Sequence, residues 1–517
     1  MSANILWADD EIDLLRPHVL FLQDKGYTVE TVNNGLDAVE KVGKKEYDII
    51  FLDENMPGLS GLETLSRIKA IAQHTPVIMI TKSEEEHIME EAIGSKISDY
   101  LIKPVNPNQI LHSLKKHLEG RRLVSERTST NYQQQFGRLS MRLGDKHDTK
   151  GWAALYDEIV RWELDLSGSA DPGMHEILRS QKSEANELFS RFVAEHYIDW
   201  VNGKGVDVPL QSHNLFKVKI APHIQEGEPP LFMVLIDNLR LDQWRVLEPI
   251  IGQFYKVEEQ GSFYSILPTA TQYARNAIFS GLMPSEIEKR FPGKWISEEE
   301  EGSKNAHEDE FLADQLKRLG KNVKHSYHKI TSQAQGRKLA ENLGNLMGNP
   351  FNCIVYNFVD MLSHARTEME VIRELAEDDA AYRSITKSWF EHSPLFDILK
   401  GIAEKGGRVI ITTDHGTIRV TEPSKVVGDR NTNSNLRYKF GRNLSYEERD
   451  VLAIKDPAKA FLPRANVSTV YVFTKKDLYF VYPNNYNHFV NFYRNTFQHG
   501  GISLEEMIVP VVYLKPR

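Results

Sequence analysis

The chain has 517 residues, too many for one ordinary core, with 41% hydrophobic and 26% charged residues and a formal net charge of −9. That balance is ordinary for a globular protein and lacks the basic excess of a general nucleic-acid binder, so direct DNA binding is not expected. The single cysteine, Cys353 in "NCIVYNF", excludes an internal disulfide and reads as a buried, inert thiol in a reducing compartment.

The N-terminal "MSANILWADDE" lacks the basic start and apolar core of a signal peptide. No apolar run approaches the roughly 18 residues that a membrane helix needs. The expectation is a cytoplasmic protein without membrane insertion. Residues 1–120 then alternate strand-like and helix-like stretches. The strands are "NILWA", "YTVETV", "DIIFLD", "PVIMIT" and "DYLIK", and the alternation predicts a five-stranded, doubly wound parallel sheet. Asp9 and Asp10 close the first strand, Asp53 the third, Thr81 the fourth and Lys103 the fifth. In such a sheet ligands bind outside the carboxyl ends of the strands, so these side chains are expected to share one crevice. Crowded carboxylates repel unless a cation sits among them, and Mg²⁺ suits a few carboxylates plus water. Beside Mg²⁺ and the Lys103 ammonium, Asp53 could accept a phosphoryl group.

This ordered set resembles a response-regulator receiver domain. The resemblance implies that Asp53 is the phosphoacceptor and that Asp9 and Asp10 are the metal-binding acidic pair. It implies that Asn55 offers its backbone carbonyl to Mg²⁺, that Thr81 and Tyr100 are switch residues, and that Lys103, followed by Pro104, is the family's lysine. It also implies a sensor histidine kinase as phosphodonor and a phosphorylation-dependent homodimer. Lys82 departs from the small residue common there.

Residues 121–205 lose the strand signal and carry apolar residues at helical spacing in "WAALYDEIVRWELDL" and "EILRSQKSEANELFSRFVAEHYIDWV". They read as a helical bundle or connector. Strands return in 206–517, where an acidic stretch, 293–310, reads as an exposed insertion. "FMVLIDN" brings Asp237, "IVYNFVD" brings Asp360 with His364 four residues on, and "VIITTDHG" brings Asp414 and His415. His499 precedes a glycine pair near the C-terminus. Imidazole and carboxylate donors suit Zn²⁺, and six are too many for one tetrahedral ion but enough for two. Two close metals can stabilise both the attacking and the leaving oxygen in phosphoryl transfer. "LPTATQYARNAIFSG" supplies a nucleophile, Thr271, at a helix N-terminus, although a plain cap remains an alternative there.

The order Asp, Thr, Asp-x3-His, Asp-His, His-Gly-Gly resembles the alkaline phosphatase superfamily, nearest to its nucleotide pyrophosphatase/phosphodiesterase members and to PglZ domains. The resemblance implies an alkaline-phosphatase-like α/β domain with one Zn²⁺ held by Asp237, Thr271, Asp414 and His415. The other would be held by Asp360, His364 and His499, with Thr271 as nucleophile. Monoesterases of the superfamily bring an extra arginine or a third metal, and neither is evident in this sequence. A phosphodiesterase acting on a nucleotide or oligonucleotide is therefore expected, with Tyr273, Arg275 and Asn276 as candidate substrate contacts. The whole arrangement resembles response regulators of type IX secretion, which implies a sigma factor as a further partner. The competing reading is a non-catalytic adaptor for such a partner, with structural zinc.

Overall fold

The computed structural model describes residues 3–72, 75–81, 98–114, 132, 135–167, 172–297, 300, 302–357, 378–429, 432–464 and 466–517. Contacts divide the chain into two units, one of 1–131 with 168–170, the other of 132–167 and 171–517.

The first unit is a five-stranded parallel sheet of β1 (Asn4–Ala8), β2 (Thr28–Val32), β3 (Ile49–Asp53), β4 (Val77–Thr81) and β5 (Asp99–Ile102), in the order β2-β1-β3-β4-β5. Side chains alternate across a strand, and here both faces are covered. Leu6, Ala8, Ile50, Leu52 and Met79 fill one core, while Ile5, Trp7, Ile49, Phe51, Ile78 and Ile80 fill the other. That is why these strands read as unbroken apolar runs. The strand order reverses between β1 and β3, which opens the crevice at their carboxyl ends where Asp9, Asp10 and Asp53 lie.

The second unit is built on a six-stranded sheet. Its parallel strands are β6 (Leu231–Ile236), β8 (His325–Ile330), β9 (Phe351–Tyr356) and β10 (Arg408–Thr412), adjacent in the order β10-β6-β9-β8. The C-terminal strand Ile508–Pro516 runs antiparallel to β10, and β7 (Tyr255–Tyr264) runs antiparallel to it in turn. Four parallel strand ends therefore stand side by side. The antiparallel strand begins at that same edge, which brings the His499 loop there too.

The helices expected in 121–205 form, over Thr149–Leu166 and Pro172–Val201. They do not enclose a core of their own. Trp152, Tyr156, Phe189, Val193 and Trp200 join one continuous apolar cluster with the sheet residues from Leu231 to Leu514. The Tyr264 hydroxyl on β7 donates to the Thr149 carbonyl at 2.7 Å, and the Tyr264 ring lies 5.7 Å from that of Trp200. Among the described residues no helix is long and apolar enough to cross a membrane.

A short helix, Ser212–Leu215, holds a half-buried His213 beside this junction, with its Nδ1 enclosed. Burial holds its imidazole at about 4, below the ordinary 6.5. The unfolded chain thus binds this proton more readily than the folded one. Stability is full above about pH 6.5, falls as pH drops, and levels off near 4, a loss of about 3 kcal/mol. Urea unfolding of His213→Gln between pH 7 and 4.5 is expected to show a shallower decline than wild type, and parallel curves would contradict the assignment.

Candidate metal and phosphoacceptor sites

Asp237 follows β6 directly, and the next residue, Asn238, adopts a left-handed backbone (φ 63°), which asparagine tolerates better than most residues. This turn aims the Asn238 N–H at Asp414 Oδ1, at 3.2 Å. The His415 N–H also donates to Asp414 Oδ1, at 3.1 Å. Asp414 Oδ2 is buried without a hydrogen-bond partner. Asp237 is arranged in the same way, since its Oδ2 accepts from Arg275 Nη1 at 2.6 Å while Oδ1 lies 3.4 Å from Thr271 Oγ1. Each carboxylate thus has one oxygen tied to protein and one turned toward the site.

The imidazoles follow the same logic. A carbonyl can only accept, so His415 Nδ1–H donates to Gly416 O and His499 Nδ1–H donates to Thr269 O, both at 3.1 Å. That fixes the tautomer and leaves each Nε2 as a lone-pair donor, the usual state of a metal-ligating histidine. His415 Nε2 lies 3.0 Å from Thr271 Oγ1. The two rings stack with centroids 4.3 Å apart.

Asp237, Asp414 and His415 are fully buried, and their ligand atoms lie within 4.8 Å of one another. Burial first, and the neighbouring Asp237 second, push the Asp414 carboxyl well above its ordinary range. A buried carboxylate oxygen without a partner, crowded by a second carboxylate and flanked by an imidazole lone pair, fits a divalent cation. Thr271 opens the helix Thr271–Ser280, whose cap is Ala270, so the hydroxyl faces this cluster rather than serving as a cap. Asp360 and His364 lie outside the described residues.

The three expected substrate contacts turn into the protein. Tyr273 packs between the rings of Trp295 and Tyr438. Arg275 binds Asp237 and Glu308, and Asn276 donates to the Lys304 carbonyl at 3.1 Å. The acidic stretch 293–310 is correspondingly not a simple exposed insertion. Its Glu308 and Asn305 are buried, where Glu308 accepts from Arg275 and Asn305 donates to the Thr271 carbonyl.

Several supporting residues escaped the sequence reading. The Thr269 hydroxyl accepts from the Gly500 N–H at 3.0 Å and donates to the Gly501 carbonyl at 2.9 Å. Buried Glu506 accepts from the Gly501 N–H and is itself held by Arg437 at 2.6 Å. The linker helix contributes as well: Asn186 donates to Glu505 and accepts from the Leu504 N–H. A Ser-x-x-Glu capping pattern at Ser503 and Glu506 was the only available signal.

In the first unit, Asp9, Asp10 and Asp53 converge likewise within 4.8 Å. Lys103 Nζ lies 2.7 Å from Asp53 Oδ1 and 3.0 Å from Asp9 Oδ2. Burial raises the Asp53 carboxyl, and Lys103 opposes that shift. Asn55 donates its N–H to Asp53 Oδ2 at 3.2 Å, and Thr81 donates to Glu54. Tyr100 stands in β5, while its side chain and Lys82 lie outside the described residues.

Gly416 follows His415, where a glycine could serve a turn. Its requirement is instead close approach, because a Cβ there would sit 2.0 Å from the Glu505 carbonyl oxygen. Gly416→Ala is expected to cost about 1–3 kcal/mol, read by denaturant unfolding. An unchanged midpoint would show that the Glu505 backbone yields.

Three family models match the chain: the response regulator receiver domain at 5–115, the PorX response regulator linker domain at 122–201, and the BREX system PglZ alkaline phosphatase-like domain at 215–514. Among curated proteins, the transcriptional regulatory protein ZraR of Klebsiella oxytoca is 34% identical over 136 residues, 26% of this chain and 31% of that one. The transcriptional regulatory protein ResD of Bacillus subtilis is 32% identical over 114 residues, 22% of this chain and 47% of that one. The chain thus spans less than half the length of either relative. Among solved structures, the chemotaxis protein CheY4 of Vibrio cholerae is 32% identical, with 23% of this chain and all of that one covered and a TM-score of 0.22.

Proposed function

We infer the activity from one premise: this chain belongs to the PglZ alkaline phosphatase-like family and carries a receiver domain and a PorX-type linker ahead of that domain. The reading is a response regulator whose phosphorylation at Asp53 controls a zinc-dependent phosphodiesterase acting on a nucleotide or oligonucleotide, in the regulation of type IX secretion. The observation that carries it is the meeting of Asp237, Asp414 and His415 around the Thr271 hydroxyl.

Asp237, Thr271, Asp414 and His415 would hold one metal, and His499 would join Asp360 and His364 at the other. Zinc, when bound, would lower the hydroxyl pKa and offset the charge on the phosphate. Thr271 Oγ1 attacks phosphorus, and its bond forms as the bond to one ester oxygen breaks. The hydroxyl proton passes to solvent and the leaving alkoxide takes one up. Water then cleaves the Thr271–phosphoryl bond and restores the hydroxyl. Arg275, already committed to Asp237 and Glu308, leaves a second phosphate charge without its help, which favours a singly charged diester.

In the receiver domain, Asp9, Asp10, Asp53 and the Asn55 carbonyl would hold Mg²⁺, with a sensor histidine kinase as phosphodonor. The acidic overall charge argues against DNA as a direct partner. A sigma factor is retained as a protein partner.

Thr271→Val is expected to abolish zinc-supported hydrolysis of a chromogenic phosphodiester by at least 100-fold on the order expected for a lost nucleophile. Wild-type turnover in the variant would exclude Thr271 as nucleophile. An inactive wild type with both zinc sites filled would favour the adaptor instead.

Asp53→Asn is expected to eliminate labelling by a small-molecule phosphodonor with Mg²⁺. It should also eliminate the shift toward dimer that sedimentation would record for the phosphorylated wild type. Labelling that persists in the variant would move the phosphoacceptor elsewhere.

A further inference from the structure

Arg275 stands behind the Asp237–Asp414–His415 cluster, 1% exposed, with its guanidinium shared between two carboxylates. Nη1 holds Asp237 Oδ2 at 2.6 Å, and Nε donates to Glu308 Oε1. Glu308 is also 1% exposed. Its second oxygen accepts from the Tyr327 hydroxyl and faces Lys329 Nζ at 3.4 Å. Lys329 in turn donates to the Asn305 carbonyl at 3.0 Å, and Asn305 Nδ2 donates to the Thr271 carbonyl at 3.2 Å. One chain of contacts, buried except at Lys329, therefore grips both Asp237 and the first residue of the helix bearing the proposed nucleophile.

We propose that Arg275 is a positioning residue for the metal centre and that Glu308 is its anchor, so that the segment around 304–308 sets how Asp237 binds metal. This deepens the functional reading above and rests on it. The guanidinium ties up Oδ2, so Asp237 is presented as a ligand through Oδ1 alone. Single-oxygen ligation suits four-coordinate zinc, whereas Ca²⁺ takes six to eight oxygens and often uses both oxygens of a carboxylate. The planar fork matters as much as the charge, because one donor faces Asp237 while another faces Glu308. Lysine offers a point charge that cannot be held along both directions at once.

The test is chelator competition for zinc, and separately for Ca²⁺, on the full-length chain. Arg275→Met is expected to weaken zinc about 10–100-fold, the usual cost of losing a residue that orients a metal ligand. Its preference for zinc over Ca²⁺ should narrow as well, a change that general loosening of the fold would not produce. Arg275→Lys should recover part of the affinity but not the wild-type value. Glu308→Gln, which keeps the side chain's size, should weaken zinc less than Arg275→Met does. Variants that melt cooperatively yet bind zinc within twofold of wild type, with unchanged preference, would overturn the proposal. Should Arg275→Met fail to fold, Glu308→Gln decides alone, and unchanged zinc binding in it would overturn the proposal. A wild type that binds no zinc would overturn the functional reading itself, and the two failures differ because this one is already present before any substitution.

Discussion

Two carboxylates, Asp237 and Asp414, are fully buried just beyond the carboxyl ends of two adjacent parallel strands, and the surrounding structure is organised by the cost of that arrangement. Burial disfavours an ionised carboxylate, and a second one alongside disfavours it further. The protein answers with fixed donors: Arg275 on Asp237, and the Asn238 and His415 N–H groups on Asp414. One oxygen of Asp414 remains without a donor. That deficit is what makes the cluster fit a divalent cation, and it ties the identity of the site to the electrostatics of a sheet edge.

The receiver crevice meets the same constraint with a different residue. Asp9 and Asp53 are buried together and share Lys103. Lysine is a point charge on a flexible stem, and its side chain here is 12% exposed. Such a group keeps some freedom to shift between the two carboxylates. Arginine at the second site is fully enclosed between two carboxylates and holds one geometry. The flexible cation thus serves the partly open crevice, and the rigid one the fully enclosed cluster.

The linker helices belong to this second scheme. Lys182 on Pro172–Val201 pairs with Glu163 at 2.9 Å and with Glu505 at 3.0 Å. Asn186 holds the same loop, Leu504–Glu505, two residues before Met507 and five after His499. Gly416, next to His415, packs on the Glu505 carbonyl and donates to that of Glu506. The loop between the last histidine and the last strand is therefore clasped from both sides.

Much of this was legible in the residues. The strands of the first unit fall where apolar runs meet terminal Asp, Thr and Lys, because a parallel sheet buried on both faces forces such runs and collects their ends at one edge. The same reasoning picked out Asp237, Asp414, His415, Thr271 and His499, which share an edge because β10, β6 and the last strand are neighbours. Arg275 was noticed but misread as a substrate contact, since nothing in "QYARNA" tells that its partner lies 33 residues on at Glu308. The acidic stretch looked solvated because charge runs usually are, and only the fold shows one of its carboxylates inside. The linker helices were legible as helices, but an apolar face reads the same whether it packs on its own kind or on a distant sheet. Local spacing and strand-end chemistry thus determined the elements and picked out the polar residues that gather at the strand ends. Which strands became neighbours, which cation stands behind which carboxylate, and what covers each apolar face were decided by tertiary structure, because those contacts join segments tens to hundreds of residues apart.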